Sequence, residues 1–389
     1  MSLIQTLRTT KELAAFCTAA ASAAYITIDT EFLRERTYYS KLCLVQLAFR
    51  GDGQSDAALV DVLSGQMSLE PLFTLFRNPD IVKVFHAARQ DLEIFFFEGD
   101  GVFPKPFFDT QVAAMVCGFG EQVGYETLIR KIAKQQIDKS SRFTDWSRRP
   151  LSDKQKAYAL ADVTHLRDVY EFLAARIQQT GRSKWVDEEV AILTTPETYL
   201  IRPEDAWKRI KTRSNSGRFL AIVRELARFR EDYAQTRNVP RSRVYKDDAL
   251  LELASAKPKS LADLGKTRLL LRDARKGAIA EGILAAVSAG LSCATGDMPK
   301  PRPAREKKQG TEGLSDLLRV LLKAKAEAAG VAQKLIATAT ELDEIAAGEG
   351  DVKALHGWRR EVFGSDALDL CAGKIALSAN GRSVKLIRL

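Results

Sequence analysis

The chain has 389 residues, enough for two or three domains at roughly 100 to 200 residues each, and its 46% hydrophobic and 28% charged residues exclude a disordered or fibrous chain. Its five cysteines lie far apart without a CxxC pair and it has three histidines, His86, His165 and His356, which excludes a disulfide framework, a thiolate zinc site and an HExxH hydrolase. The net charge of +9 is uneven: residues 1–180 carry −1, residues 181–310 carry +10 and residues 311–389 carry zero, as in a neutral core unit with a polyanion-holding attachment, or with a merely solvated basic surface.

The N-terminal stretch is interrupted by polar residues and runs straight into a strand-like segment, unlike a signal peptide. No window supplies the roughly 20 consecutive apolar residues of a membrane span. A soluble protein of the reducing cytoplasm is expected. Strands are predicted over 25–29, 42–49, 57–62 and 81–85, which are short and rich in β-branched or aromatic residues. Helical periodicity is predicted over 68–77, 89–97, 110–117, 125–132 and 153–177, so the first half reads as mixed α/β. After about residue 190 the strand signal nearly vanishes. Helices are predicted over 203–210, 218–236, 247–255, 260–264 and 270–289, broken by Pro240 and Pro258, with Ser260 suited to a cap. Residues 297–313 are proline-rich and charged without an apolar face, hence a linker that is either plainly solvated or holds phosphate. Helices over 314–330, 332–347 and within 357–371 follow, and two β-like scraps, 374–378 and 383–389, end the chain.

Asp29-Thr30-Glu31 closes the first strong strand, and strand alternation projects Asp29 and Glu31 on one side. Two carboxylates sharing a side repel unless a proton or cation compensates. A hard divalent cation such as Mg²⁺ or Mn²⁺ suits that need, and a solvated strand end is the plain alternative. Asp91 falls in the first turn of a helix after a strand, where a surface carboxylate at a helix N-terminus is also ordinary. Tyr158 and Asp162 stand four residues apart on one face of a long helix. Asp109, before a helical run, reads as an N-cap.

Asp29-Thr30-Glu31-Phe32, the stretch from His86 to Asp91, and Tyr158 with Asp162 together resemble the three motifs of DEDD-type 3′→5′ exonucleases with tyrosine in the third motif. The segments FDTQVAA at 108–114 and DWSRRPLSDKQKAYALADV at 145–163 are similar to the bacterial ribonuclease D family, and 219–289 resembles its helical HRDC module. The resemblance implies an α/β RNase H-like core followed by two all-α HRDC-type helical domains. It divides the chain into a 3′→5′ exonuclease domain at 1–190, a first HRDC domain at 205–292, a basic Pro-rich linker at 293–313 and a second, divergent HRDC-like domain at 314–389. By the same resemblance Asp29, Glu31, Asp91 and Asp162 match the metal-binding carboxylates, holding two Mg²⁺ or Mn²⁺ ions when substrate is bound. Tyr158 matches the residue that orients the attacking water. His86 matches a histidine that is not a ligand, and a packed or hydrogen-bonded role is expected for it.

The implied activity is release of 5′-mononucleotides from RNA 3′ ends, above all those of precursor tRNAs, by a monomer with no obligate protein partner and no membrane. The alternatives are a DNA-directed 3′→5′ exonuclease or a nucleic-acid-binding module without catalysis. Arg148 and Arg149 are candidates for substrate phosphate, or for surface salt bridges or a structural guanidinium, and Trp146 for base stacking or packing. Arg237, Arg241, Arg243 and Lys246, around Asn238-Val239-Pro240, suit nonspecific phosphate contacts.

Overall fold

In a computed structural model, the structure describes residues 4–51, 56–65, 67–138, 140–214, 216–300 and 310–389. The first half is built on a six-stranded sheet of β1 (Thr6–Leu7), β2 (Tyr25–Leu33), β3 (Lys41–Phe49), β4 (Ala57–Val60), β5 (Val82–Phe85) and β6 (Phe107–Asp109), in the order β1-β4-β3-β2-β5-β6. Strands β2, β3 and β4 pair antiparallel, while β1, β5 and β6 extend the two flanks in parallel. Helices cover both faces of the sheet, and the central strands are therefore apolar on both sides. Ile26, Ile28, Val45 and Leu47 pack with Leu13, Phe76 and Phe95 from α1 (Thr10–Ala20), α2 (Glu70–Arg77) and α3 (Arg89–Glu98). On the other face, Thr27 Oγ1 donates to the Val163 carbonyl at 2.8 Å, which seats β2 against the long helix described below.

Capping side chains set where the helices begin. Thr9 and Glu12 form a capping box on α1, and Asp109 accepts the amides of Gln111 and Val112 to start α4 (Thr110–Val116). After α5 (Tyr125–Leu128), a second capping box between Ser152 and Gln155 starts α6 (Asp153–Thr180), which ends where Gly181 takes the left-handed conformation at φ +66°. The short α7 (Ser183–Ala191) then leads out of this unit.

A helical module follows, comprising α8 (Gly217–Thr236), α9 (Arg241–Val244), α10 (Asp247–Ala256), α11 (Leu261–Lys266) and α12 (Gly277–Ser292). It has its own core, in which Leu226, Tyr245, Leu250 and Ile283 are at most 1% exposed. The remaining chain forms α13 (Glu312–Ala329), α14 (Gln333–Ile336), α15 (Ala339–Ala346), α16 (Gly357–Arg359) and α17 (Ser365–Cys371), then an antiparallel hairpin of β7 (Ile375–Asn380) and β8 (Ser383–Arg388). Its apolar residues do not close on themselves: Leu318, Val331 and Trp358 share one core with Val116, Val186 and Leu173 of the first unit.

Three local expectations change. The edge strands β1 and β6 are only 2 and 3 residues long, too short to show a period in sequence, and exist because a parallel neighbour pairs with them. The single helix expected over 332–347 is two, since Thr338 and Glu341 form a capping box that restarts the chain. The two terminal β scraps pair with each other. Of the expected linker, residues 301–309 lie outside the described residues. No helix among the described residues is long and apolar enough to cross a membrane.

Candidate active site

Strand β2 delivers two acids and the first turn of α3 a third. Asp29 lies opposite Gln46 and Glu31 opposite Leu44 on β3, so alternation places both carboxylates on the α6 side of the sheet. The register slips between Glu31 and Phe32, ending the regular ladder just past the pair. Asp91 enters from the first turn of α3, and the Thr30 hydroxyl donates a hydrogen bond to its Oδ1.

The turn leading into α3 is held in an uncommon backbone shape. Ala87 has φ +56°, which a side chain disfavours, and Asp109 compensates by accepting the Ala87 amide at 3.1 Å and the Ala88 amide at 2.9 Å. Asp109 thus caps α4 as expected and also positions the helix that carries Asp91. His86 has the packed, hydrogen-bonded role expected of it, with Nδ1 3.0 Å from Thr110 Oγ1 and its ring beside Tyr125. Burial pushes its pKa down.

Helix α6 brings Tyr158 and Asp162, one turn apart, and the Tyr158 phenol acts on the Asp162 carboxylate against the rise that burial causes. Tyr125 fixes the same turn by donating to the Asp162 carbonyl. Asp29, Asp162, Tyr158, Tyr125 and His86 line a cavity of about 250 Å³, together with Arg142 from the loop before α6. Glu31 and Asp91 are joined to the same group by their charges.

The electrostatics are those of a cluster short of positive charge. Burial, then the neighbouring Asp162 carboxylate, pushes Asp29 well up; burial, then Asp29, does the same to Asp91. Glu31 is pushed up to about 10 by burial and then by Asp29, Asp162 and Asp91, with the Arg142 guanidinium opposing. Burial raises Asp162 to about 7. Tyr158 is raised above the ordinary phenol value by burial and then by the charges of Asp162, Glu31 and Asp29. Among the described residues no three His, Cys, Asp or Glu side chains are drawn together as a ready-made ion cage. The donor chemistry nonetheless fits a divalent cation: four carboxylates, hard oxygen ligands, are held at the cost of retaining protons until positive charge arrives.

The expected basic contacts divide. Arg149 is committed inside the chain: Nη2 lies 2.6 Å from Asp61 Oδ1 and donates to the Cys43 carbonyl, and Nη1 donates to those of Trp146 and Arg148. This guanidinium therefore pins the loop before α6, replacing the phosphate contact considered for it. Trp146, 2% exposed, is a packing anchor and cannot stack on a base. Arg241 is likewise occupied, by Glu231 and by the Tyr38 hydroxyl at 2.8 Å. Arg148, Arg237, Arg243 and Lys246 stay on the surface. Sequence reasoning did not single out Thr30, Tyr125 or Arg142. Thr30 stood in view between the two acids, whereas Tyr125 and Arg142 reach the site only through folding.

Comparison with known proteins accords with this geometry. Residues 4–178 match the family described as 3′-5′ exonuclease, and residues 219–287 match the HRDC domain. The chain is 63% identical to ribonuclease D of Jannaschia sp., covering 99% of both chains, and 46% identical to ribonuclease D of Granulibacter bethesdensis over 97% of this chain and 95% of that one. Among solved structures it is similar to Escherichia coli RNase D, described as an exoribonuclease involved in structured RNA processing, with TM-score 0.83 and 28% identity over 95% of this chain and 99% of that one.

Proposed function

We propose, from the premise that this chain belongs to the ribonuclease D family, that it trims precursor tRNA 3′ ends one nucleotide at a time, acting as a monomer in the cytoplasm. It is a metal-dependent 3′→5′ exoribonuclease that processes RNA 3′ ends. The observation that carries the assignment of residues is that Asp29, Tyr158 and Asp162 line one cavity while the Glu31 and Asp91 carboxylates, from β2 and α3, are joined to them by charge. In this reading residues 1–190 hold the chemistry, 205–292 hold RNA through surface cations, and 314–389 form a divergent HRDC-like clamp that braces the catalytic unit.

Asp29, Glu31, Asp91 and Asp162 would hold two Mg²⁺ or Mn²⁺ ions when substrate is present. Metal held by these carboxylates would supply the positive charge they lack and the means to activate water and to stabilise charge at the scissile phosphate. The chain's own residues fix the geometry. Tyr158 stays protonated at neutral pH, because burial and three acidic neighbours raise its pKa, so it orients water as a hydrogen-bond partner and is no general base. Thr30 aims Asp91 and Tyr125 aims the Asp162 turn.

The test is mononucleotide release from a precursor tRNA 3′ extension, and from DNA of the same sequence, with Mg²⁺ or Mn²⁺. Asp91→Asn should lose at least about 100-fold in turnover while keeping its fold, and Tyr158→Phe should lose turnover at saturating metal without losing metal affinity. Wild-type turnover by Asp91→Asn would remove that residue from the site, and equal rates on DNA would remove the RNA preference.

A further inference from the structure

Phe143 is the most exposed large apolar side chain inside the described chain, 91% accessible, and it stands next to Arg142, which lines the acidic cavity. An aromatic ring left in water forgoes roughly 1.5 to 3 kcal/mol of burial, so its position needs a reason. Looseness is not that reason. The turn bearing it is pinned on both sides: Ser141 is 4% exposed and its carbonyl accepts the Thr144 hydroxyl at 2.8 Å. Thr144 Oγ1 in turn accepts from Gln155 Nε2 at 3.0 Å, tying the loop to the first turn of α6, and Trp146 is buried two residues later.

Arg142 adds the second half. Its guanidinium carbon sits 5.2 Å from the Phe143 ring centroid, while the same side chain lines the cavity with Asp29, Tyr158 and Asp162. Among the described residues it closes no salt bridge, yet its charge acts on Glu31 and Asp162. A cation that reaches the acids without pairing to any is free to take another anion. One side chain therefore faces the reacting centre, and its neighbour presents an exposed ring beside that side chain's guanidinium.

We propose that Arg142 and Phe143 form a clamp for the 3′-terminal nucleotide, the guanidinium holding the terminal phosphodiester and the ring stacking on the base. This rests on the exoribonuclease reading above and names the specificity it would carry. Every base has a face, so stacking tolerates any sequence, whereas a guanidinium on phosphate fixes register without reading bases. A base inside a duplex has both faces covered. The clamp therefore selects unpaired 3′ ends of any sequence and discriminates against paired ones.

The experiment uses the full chain, single-stranded RNA oligonucleotides and the same oligonucleotides with an abasic 3′-terminal nucleotide. Phe143→Ala should raise KM on ordinary RNA roughly 10- to 100-fold with little change in kcat, and Phe143→Trp should restore it. The abasic end should penalise the wild-type chain by a similar factor and leave Phe143→Ala unaffected, since ring and base are each other's partner. Arg142→Gln should lower kcat/KM by the same factor on both substrates. Equal KM for wild type and Phe143→Ala, or an abasic penalty undiminished in Phe143→Ala, overturns the clamp. So does a change of oligomeric state in Phe143→Ala by ultracentrifugation, which would make the ring a self-association surface. Fluorescence anisotropy of the same RNAs in EDTA reads the stacking without turnover, so a chain that proves inactive refutes the exoribonuclease reading while the ratio of intact to abasic affinity still decides the clamp.

Discussion

The two helical attachments join the catalytic unit in opposite ways. The module of α8–α12 has a closed core and meets the catalytic unit along a hydrogen-bonded seam. There Tyr38 bonds Glu231 and Arg241, and Asn238 Oδ1 accepts the amides of Tyr38 and Tyr39, both at 3.0 Å. The module of α13–α17 has no closed core. Trp358 stacks on Trp185 at 4.5 Å and 14°, with the Arg182 guanidinium over the Trp185 ring and that of Arg359 over the Trp358 ring. Glu189 then pairs with Arg359 across the same seam. At Gly118, φ +79°, a Cβ would stand 2.5 Å from the Gly330 carbonyl oxygen, so the two backbones meet where no side chain fits. The charge follows the same division: the +10 interval contains the self-contained module, and the fused one is neutral. A segment that lends its apolar face to a neighbour is part of that neighbour's fold, and a segment that keeps its core is free to serve as an arm.

The largest effect should come from Trp358→Ala. Truncating a buried Trp costs about 3 to 5 kcal/mol. Differential scanning calorimetry should show the catalytic unit and the α13–α17 module melting together at lower temperature, with a separate transition for α8–α12 unchanged. A variant whose catalytic transition stays at the wild-type temperature would mean the two are not one cooperative unit.

Metal should sharpen the same division. The raised carboxyls bind more protons folded than unfolded, so their contribution to stability is full below about pH 4, their unfolded pKa. It is lost as pH rises through about 7 for Asp162 and toward about 10 for Glu31. Mg²⁺ or Mn²⁺ should thus stabilise the catalytic transition by about 2.7 kcal/mol at a hundredfold excess over its pH 8 Kd, by less at pH 5 at the same concentration, and leave the α8–α12 transition in place. An equal metal shift at both pH values would contradict the charge-deficient cluster.

Tyr38→Phe should cost about 1 to 2 kcal/mol, read as loosened docking of α8–α12 in small-angle scattering without a lower catalytic transition. Smallest in stability, within about 0.5 kcal/mol, is the replacement of Arg237, Arg243 and Lys246 by Gln. It should weaken binding of structured RNA and reduce the slope of log K against log salt by about 2, at roughly 0.7 for each phosphate that is no longer neutralised. An unchanged slope would make this surface merely solvated.

Much of this was legible in the chain itself. Asp29 and Glu31 share a side because a strand alternates, Tyr158 and Asp162 share a face because a helix repeats, and Asp109 caps a helix because its carboxylate precedes one. These are local periodicities, fixed by backbone geometry. Tertiary structure alone decided which charges were already occupied. Arg149 and Arg241 read like any surface arginine until Asp61 and Glu231, 88 and 10 residues away, closed on them. It alone brought Arg142 to the acids and left Phe143 in water beside it. It also made the C-terminal helices part of the catalytic unit's core, because an apolar helix face carries a period but no address: its partner is set by what lies across from it when the whole chain has packed.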